Sequence, residues 1–156
     1  MCVEKVLPLE ETDEGPVGTI QFRVRYKETD QMGVVYHSNY FAYFEMGRTE
    51  LMSSLTGVRY RDLEKANVKM VVAAVDCVYH KPAEYDDLLT LKTRASKLGR
   101  ASLTHEYKLY RGDELLVVGH TKLVTVDPTG KIVPVPDWLR HPRKIDKNEL
   151  ENLTRQ

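Results

Sequence analysis

From Thr19 onward, apolar and polar residues alternate: Ile20, Phe22, Val24 and Tyr26 stand between Gln21, Arg23, Arg25 and Lys27. A period of two sends one set to a buried face, so this stretch predicts a half-buried strand. The polar run from Glu28 to Gly33 breaks the pattern. Apolar residues then crowd together, with Tyr40, Phe41, Ala42, Tyr43, Phe44 and Met46 covering nearly every side of a predicted helix from Tyr40 to Thr56. A helix that is apolar all round is wrapped by protein. Ser38 or Asn39 can cap its start, and Gly57 can end it in a left-handed turn. Its second half, with Arg48, Glu50, Ser53 and Ser54, is wetter, and a short amphipathic turn over Tyr60–Ala66 follows.

The remainder reads as strands. Val68–Lys81 is rich in β-branched residues and stops at Pro82; Leu88–Leu98 leads to a turn at Gly99. Ala101–Arg111 alternates through Leu103, His105, Tyr107 and Leu109, and Gly112-Asp113 closes a hairpin onto Leu115–Val126. Asp127-Pro128-Thr129-Gly130 is a turn sequence. The short connections imply antiparallel pairing. One apolar helix against one long curved antiparallel sheet is an α+β architecture. The other face of that sheet is also expected to carry apolar residues and to be covered by another subunit.

With 156 residues, the chain suits one domain. That domain is expected over 19–141, between a loosely ordered N-terminal arm, 1–18, and a C-terminal tail, 142–156. The arm has no apolar run of the kind a secretory signal or membrane span needs, so membrane insertion is not expected. The 23 basic and 23 acidic side chains of the whole chain cancel. A balanced chain has no global field to attract polyanions, which argues against nucleic acid as a partner. Cys2 and Cys77 form no CxxC pair, so neither zinc nor a disulfide framework is signalled, and a reducing cytoplasm is the expected location. His80, His105 and His120 fall on separate strands without metal-ligand spacing, and no metal site is expected.

Candidate chemistry gathers between Asp30 and Tyr40. Asp30 precedes the helix start by a short loop, and Gly33 permits a tight turn or close approach of backbone to a ligand. A helix N-terminus offers unpaired N–H groups and the positive end of a dipole. A carboxylate beside such groups suits acyl transfer: it attacks the acyl carbon or deprotonates water, while the N–H groups hold the oxyanion. The alternative for Thr29-Asp30 is a structural Asx turn or cap.

The run Tyr26-Lys27-Glu28-Thr29-Asp30-Gln31-Met32-Gly33-Val34-Val35-Tyr36-His37-Ser38-Asn39-Tyr40, with Phe44-Glu45, Arg48-Thr49-Glu50 and the later Tyr85-Asp86-Asp87-Leu88-Leu89, resembles the 4-hydroxybenzoyl-CoA thioesterase family. Within it, the likeness is closest to the Tol-Pal-associated acyl-CoA thioesterases, and it spans about residues 19–136. The resemblance implies a hotdog fold, hydrolysis of a small acyl-CoA, and active sites at the interface of a homodimer, often within a homotetramer. It also implies that Asp30 is the catalytic carboxylate and that the backbone N–H of His37 polarises the thioester carbonyl. No cofactor beyond the CoA of the substrate is implied.

Other positions are weaker candidates. Tyr26, Gly33, Val34 and Tyr40 are placed to line an acyl pocket, with aromatic core packing the alternative for the tyrosines. Thr90 resembles a position that approaches the thioester from a neighbouring subunit. Lys97 and Arg100, around Gly99, suit pairing with CoA phosphates. Glu45 is expected to pair with Arg48 one turn on. Two competing functions are a non-catalytic acyl-CoA-binding module and a hotdog dehydratase of hydroxyacyl thioesters; only hydrolysis releases free CoA.

Overall fold

Among the residues that the computed structural model describes, 2–65, 67 and 69–155, the chain forms seven strands and four helices. The strands are β1 (Lys5–Val6), β2 (Glu10–Thr12), β3 (Gly15–Arg23), β4 (Lys69–Tyr79), β5 (Leu88–Leu98), β6 (Ser102–Arg111) and β7 (Glu114–Val126). The helices are α1 (Asn39–Thr56), α2 (Tyr60–Leu63), α3 (Asp137–Arg140) and α4 (Lys147–Arg155). Ala66 and Val68, where the sequence predicts one element to end and the next to begin, lie outside the described residues, as do Met1 and Gln156 at the outer bounds of the arm and tail.

All seven strands join one antiparallel sheet in the order β1-β3-β5-β6-β7-β4, with β2 also paired to β3. Helix α1 lies over β3 and β5. The alternation in the sequence explains this face: Leu103, His105, Tyr107 and Leu109 of β6 are all buried, as are Leu89, Leu91 and Thr93 of β5. Phe44 stacks on Tyr107 with ring centroids 4.3 Å apart and planes 9° from parallel. Gly47 makes the approach possible. A Cβ there would strike Thr93 Oγ1 and lie 2.7 Å from Leu91 Cδ2. Gly57, at φ +74°, ends α1 as its sequence suggests.

Several expectations are corrected. The arm is not loose over its described length, because β1, β2 and the first part of β3 pair within the sheet. Polar residues hide such edge hairpins from periodicity, since little of their surface is buried. β3 stops at Arg23, so Tyr26 leaves the sheet in a 3-10 turn over Tyr26–Glu28 and is 78% exposed. Backbone and side-chain bonds between Arg25 and Glu28 close that turn. At the other end, Ile145, Leu150 and Leu153 of the expected tail join Met52, Leu103, Val135 and Leu139 in a second apolar cluster. Trp138 packs on the same cluster.

The outer face of the sheet carries apolar residues as expected, with Val78 set against Val118 and Val71 against Val124, on either side of a charged row. Along that row run Asp76, His120, Glu106, Arg94 and Glu14, in successive contacts of 2.9, 3.6, 3.0 and 3.3 Å. Exposed apolar side chains gather on the edge strand β4, at Val71, Val72, Val75, Val78 and Tyr79.

Candidate active site

The loop between β3 and α1 folds as a small hairpin. A bridge between Thr29 and Val35 closes it, Asp30 N–H donates to Val34 O (2.9 Å), and Gly33 N–H donates to Asp30 O (3.0 Å). Gly33 sits at φ +81°, where a Cβ would be strained. Met32 N–H donates to Asp30 Oδ1 at 2.8 Å, so the Asx turn named as the structural alternative is present. It engages one carboxylate oxygen. The other has no hydrogen-bond partner among the described residues, and the side chain is half-buried.

The loop's return segment is pinned on both sides. Val35 N–H donates to Ala83 O (2.8 Å), and Tyr36 N–H donates to Glu28 O (2.9 Å). Asn39, the first residue of α1, sends its side-chain Nδ2 to the same Glu28 carbonyl at 2.7 Å. The two ends of the loop that carries Asp30 and leads to His37 therefore meet at one acceptor. Neither Ser38 nor Asn39 caps the helix through a side chain in the way expected.

His37 is exposed. Its carbonyl accepts a bond from Tyr79 Oη (2.9 Å), and its ring lies 4.5 Å from that of Tyr36. Its main-chain N–H has no acceptor among the described residues. Tyr40 is buried, packs edge-on to Tyr79 and Tyr43, and accepts a bond from Ala83 N–H. Burial pushes its phenol pKa up, so the hydroxyl stays protonated near neutrality. Together Val34, Val35, His37, Tyr40, Tyr79, His80, Lys81 and Pro82 line a cleft of about 240 Å³ beside the C-terminal end of β4.

That cleft gathers Val34, His37 and Tyr40 of the residues singled out from sequence. Asp30 and Gly33 lie in the adjoining turn rather than on its wall. The other candidates lie elsewhere. Tyr26 packs against Tyr85 at 5.8 Å. Thr90 is on β5, where it accepts a bond from Gln21. Lys97 and Arg100 are exposed around the β5–β6 turn. In the sheet order, β6 and β7 separate β5 from β4. Glu45 and Arg48 do pair, at 3.9 Å. Burial raises the Cys77 thiol pKa, which suits packing better than nucleophilic attack. Among the described residues, no group of three or more His, Cys, Asp or Glu is placed to hold a metal ion, and no helix is long and apolar enough to cross a membrane.

One residue escaped the sequence entirely. Glu28 is only 5% exposed. Its Oε2 accepts bonds from Arg25 N–H (2.8 Å) and Tyr43 Oη (3.0 Å), while the Arg25 guanidinium reaches Oε1 at 3.1 and 3.2 Å. The Arg25–Glu28 spacing was visible in the chain; the bond to Tyr43, formed only when the loop folds onto α1, was not.

One long helix, α1, packed on an antiparallel sheet of this order, with the loop chemistry gathered at the helix start, is the hotdog architecture of thioester hydrolases. The chain belongs to the thioesterase-like superfamily, whose family profile matches residues 24–142. It is 36% identical to the acyl-CoA thioesterase YbgC of Haemophilus influenzae over 113 residues, covering 72% of this chain and 82% of that one. Against the acyl-CoA thioester hydrolase YbgC of Escherichia coli O6:H1, identity is 33% over 107 residues, with 68% and 79% covered. Among solved structures, it is similar to the DHNA-CoA thioesterase of Staphylococcus aureus, with a TM-score of 0.73, 30% identity, and 81% and 83% of the two chains covered.

Proposed function

We propose that this protein hydrolyses a small acyl-CoA to free acid and CoA, with Asp30 as the attacking or water-activating carboxylate and the His37 N–H as donor to the developing oxyanion. The observation that carries this is the shared anchor of the two groups. Among the described residues Asp30 keeps one uncommitted oxygen and His37 an unpaired amide, and the chain on either side of His37, at Tyr36 and Asn39, is tied to the carbonyl of Glu28, two residues before Asp30. A thioester carbonyl that accepts from the amide has its carbon presented to a nucleophile on the loop side. Attack by water that the carboxylate has deprotonated gives a tetrahedral intermediate that expels CoA thiolate and leaves the free acid; attack by the carboxylate itself expels the same thiolate and leaves an acyl-Asp30 anhydride, which water then cleaves to the acid and the regenerated carboxylate. Water is the only other reactant.

A second copy of the chain, seated on β4, completes this reading. An edge strand with exposed valines is a liability unless it is covered. Two β4 strands paired antiparallel about a two-fold axis set the Lys69 end of one beside the Tyr79 end of the other. That brings a second cavity, of about 410 Å³ and lined by Tyr60, Met70, Val71 and Trp138, next to the His37 cleft of the neighbouring copy. We assign the acyl group to this junction, and the CoA phosphates to Lys97 and Arg100. Two free thiols, Cys2 and Cys77, fit a cytoplasmic enzyme.

Thiol release from acyl-CoA, followed with a disulfide indicator dye, tests the activity. Asp30→Asn is expected to lower kcat by about 100-fold or more while the fold is retained. Retention of most turnover in that variant would reject the assignment.

A further inference from the structure

Among the described residues Glu28 is the one buried carboxylate, and a buried charge is retained only where bonds repay its loss of water. The mechanism above uses the Glu28 backbone alone; its side chain has no part in it. Yet that side chain ties three places together. It holds the entry to the site loop through Arg25 N–H, neutralises itself against the Arg25 guanidinium, and grips α1 one turn beyond its start through Tyr43 Oη. Tyr43 is wholly buried, and burial, reinforced by the Glu28 charge, raises its pKa, so it stays a donor to the carboxylate.

We propose that Glu28 is a positioning residue for hydrolysis: its carboxylate fixes the offset between Asp30, two residues on, and the His37 amide at the start of α1. This rests on the reading of Asp30 given above. The geometry is direct. Beside the Val35–Ala83 and Tyr79–His37 bonds, Glu28 couples the loop to the helix: its backbone carbonyl holds the returning strand and the helix start while its carboxylate holds the entering turn and the helix body. Removing the carboxylate unties the entering turn, which carries Asp30, from the body of α1, while the return segment stays held at Ala83 and Tyr79, and lets the Asp30 side of the loop tilt. A tilt of about 1 Å at a reacting group costs on the order of 100-fold in rate.

The test is a cycle of variants read as kcat and KM separately. Glu28→Ala is expected to lower kcat about 100-fold with KM changed little, because the substrate's binding surfaces are untouched. Tyr43→Phe, which keeps the ring and deletes the donor, is expected to lower kcat about tenfold. Glu28→Gln, which keeps the shape and an acceptor for Tyr43, recovers part of the loss. In an Asp30→Asn background Glu28→Ala changes the residual kcat by less than about twofold, since a residue that acts through Asp30 has nothing left to position. Near-UV circular dichroism checks that each variant is folded. Should Glu28→Ala fail to fold, Glu28→Gln and Tyr43→Phe carry the same cycle. A folded Glu28 variant with kcat near that of the parent, a loss confined to KM, or equal losses in the two backgrounds would each overturn the positioning role. An Asp30→Asn with strongly lowered residual kcat and additive losses removes only the role of Glu28, whereas an Asp30→Asn that keeps most turnover removes both.

Discussion

Acidification should unfold this protein in part through one imidazole. His105 points into the core from β6, 3% exposed, with Nδ1 unpaired. Burial, with a lesser contribution from the Arg48 charge, lowers its pKa from 6.5 to about 4. The folded state therefore keeps it neutral while the unfolded chain takes up a proton. Above pH 6.5 both states are neutral and His105 contributes no pH dependence. Between pH 6.5 and about 4 the unfolded state binds more protons, so stability falls as pH falls. At about 1.4 kcal/mol per pH unit, the loss reaches ~3 kcal/mol at pH 4. Urea denaturation of the parent and of His105→Leu, at fixed protein concentration from pH 7 to pH 4, reads this directly. The parent should lose ~3 kcal/mol more than the variant over that interval. Carboxyls titrate in both proteins and cancel. One is Glu106, where burial is outweighed by the Arg94 bond and charge so that its pKa is lowered. Parallel pH profiles for parent and variant would refute the reasoning, because the imidazole would then gain its proton equally in both states.

Two further perturbations test the packing and the edge. Gly47→Val should destabilise the fold by about 1–3 kcal/mol or more, seen as a lower urea midpoint, since its Cβ meets Thr93 and Leu91 before the γ carbons are placed. If β4 pairs two copies as proposed, Val75→Lys on that exposed edge should lower the sedimentation coefficient of the parent to that of a monomer and lower thioester turnover with it; a monomeric parent, or a variant that sediments as the parent does, would reject that pairing.

The residues that face the core were legible because burial imposes a period. Leu103, His105, Tyr107 and Leu109 had to alternate to line one face of β6, and Tyr40–Phe44 had to be apolar to sit beneath the sheet. The site loop was legible as a motif, and its Asx turn and glycine follow from local chemistry. What remained hidden depends on contacts between distant segments. Tyr26 continues the alternation of β3 by residue type, yet Arg25 and Glu28 turn the chain before it can pair. The outer face reads as scattered charges along each strand. Only the register that sets Asp76 against His120, and His120 against Glu106, turns them into a continuous row. Glu28 was invisible for the same reason, its value lying in Tyr43 fifteen positions further on.

The place of β4 in the sheet sets a problem of timing. It is made directly after the α1–α2 segment, but among the described residues its only strand partner is β7, the last strand to leave the ribosome. At about 5–20 residues per second, a segment bearing Val71, Val72, Val75 and Val78 waits for seconds with both hydrogen-bonding edges vacant. The nascent chain is thus most prone to misassociate in the interval between the synthesis of Tyr79 and that of Val126, and chaperone binding during translation should concentrate there.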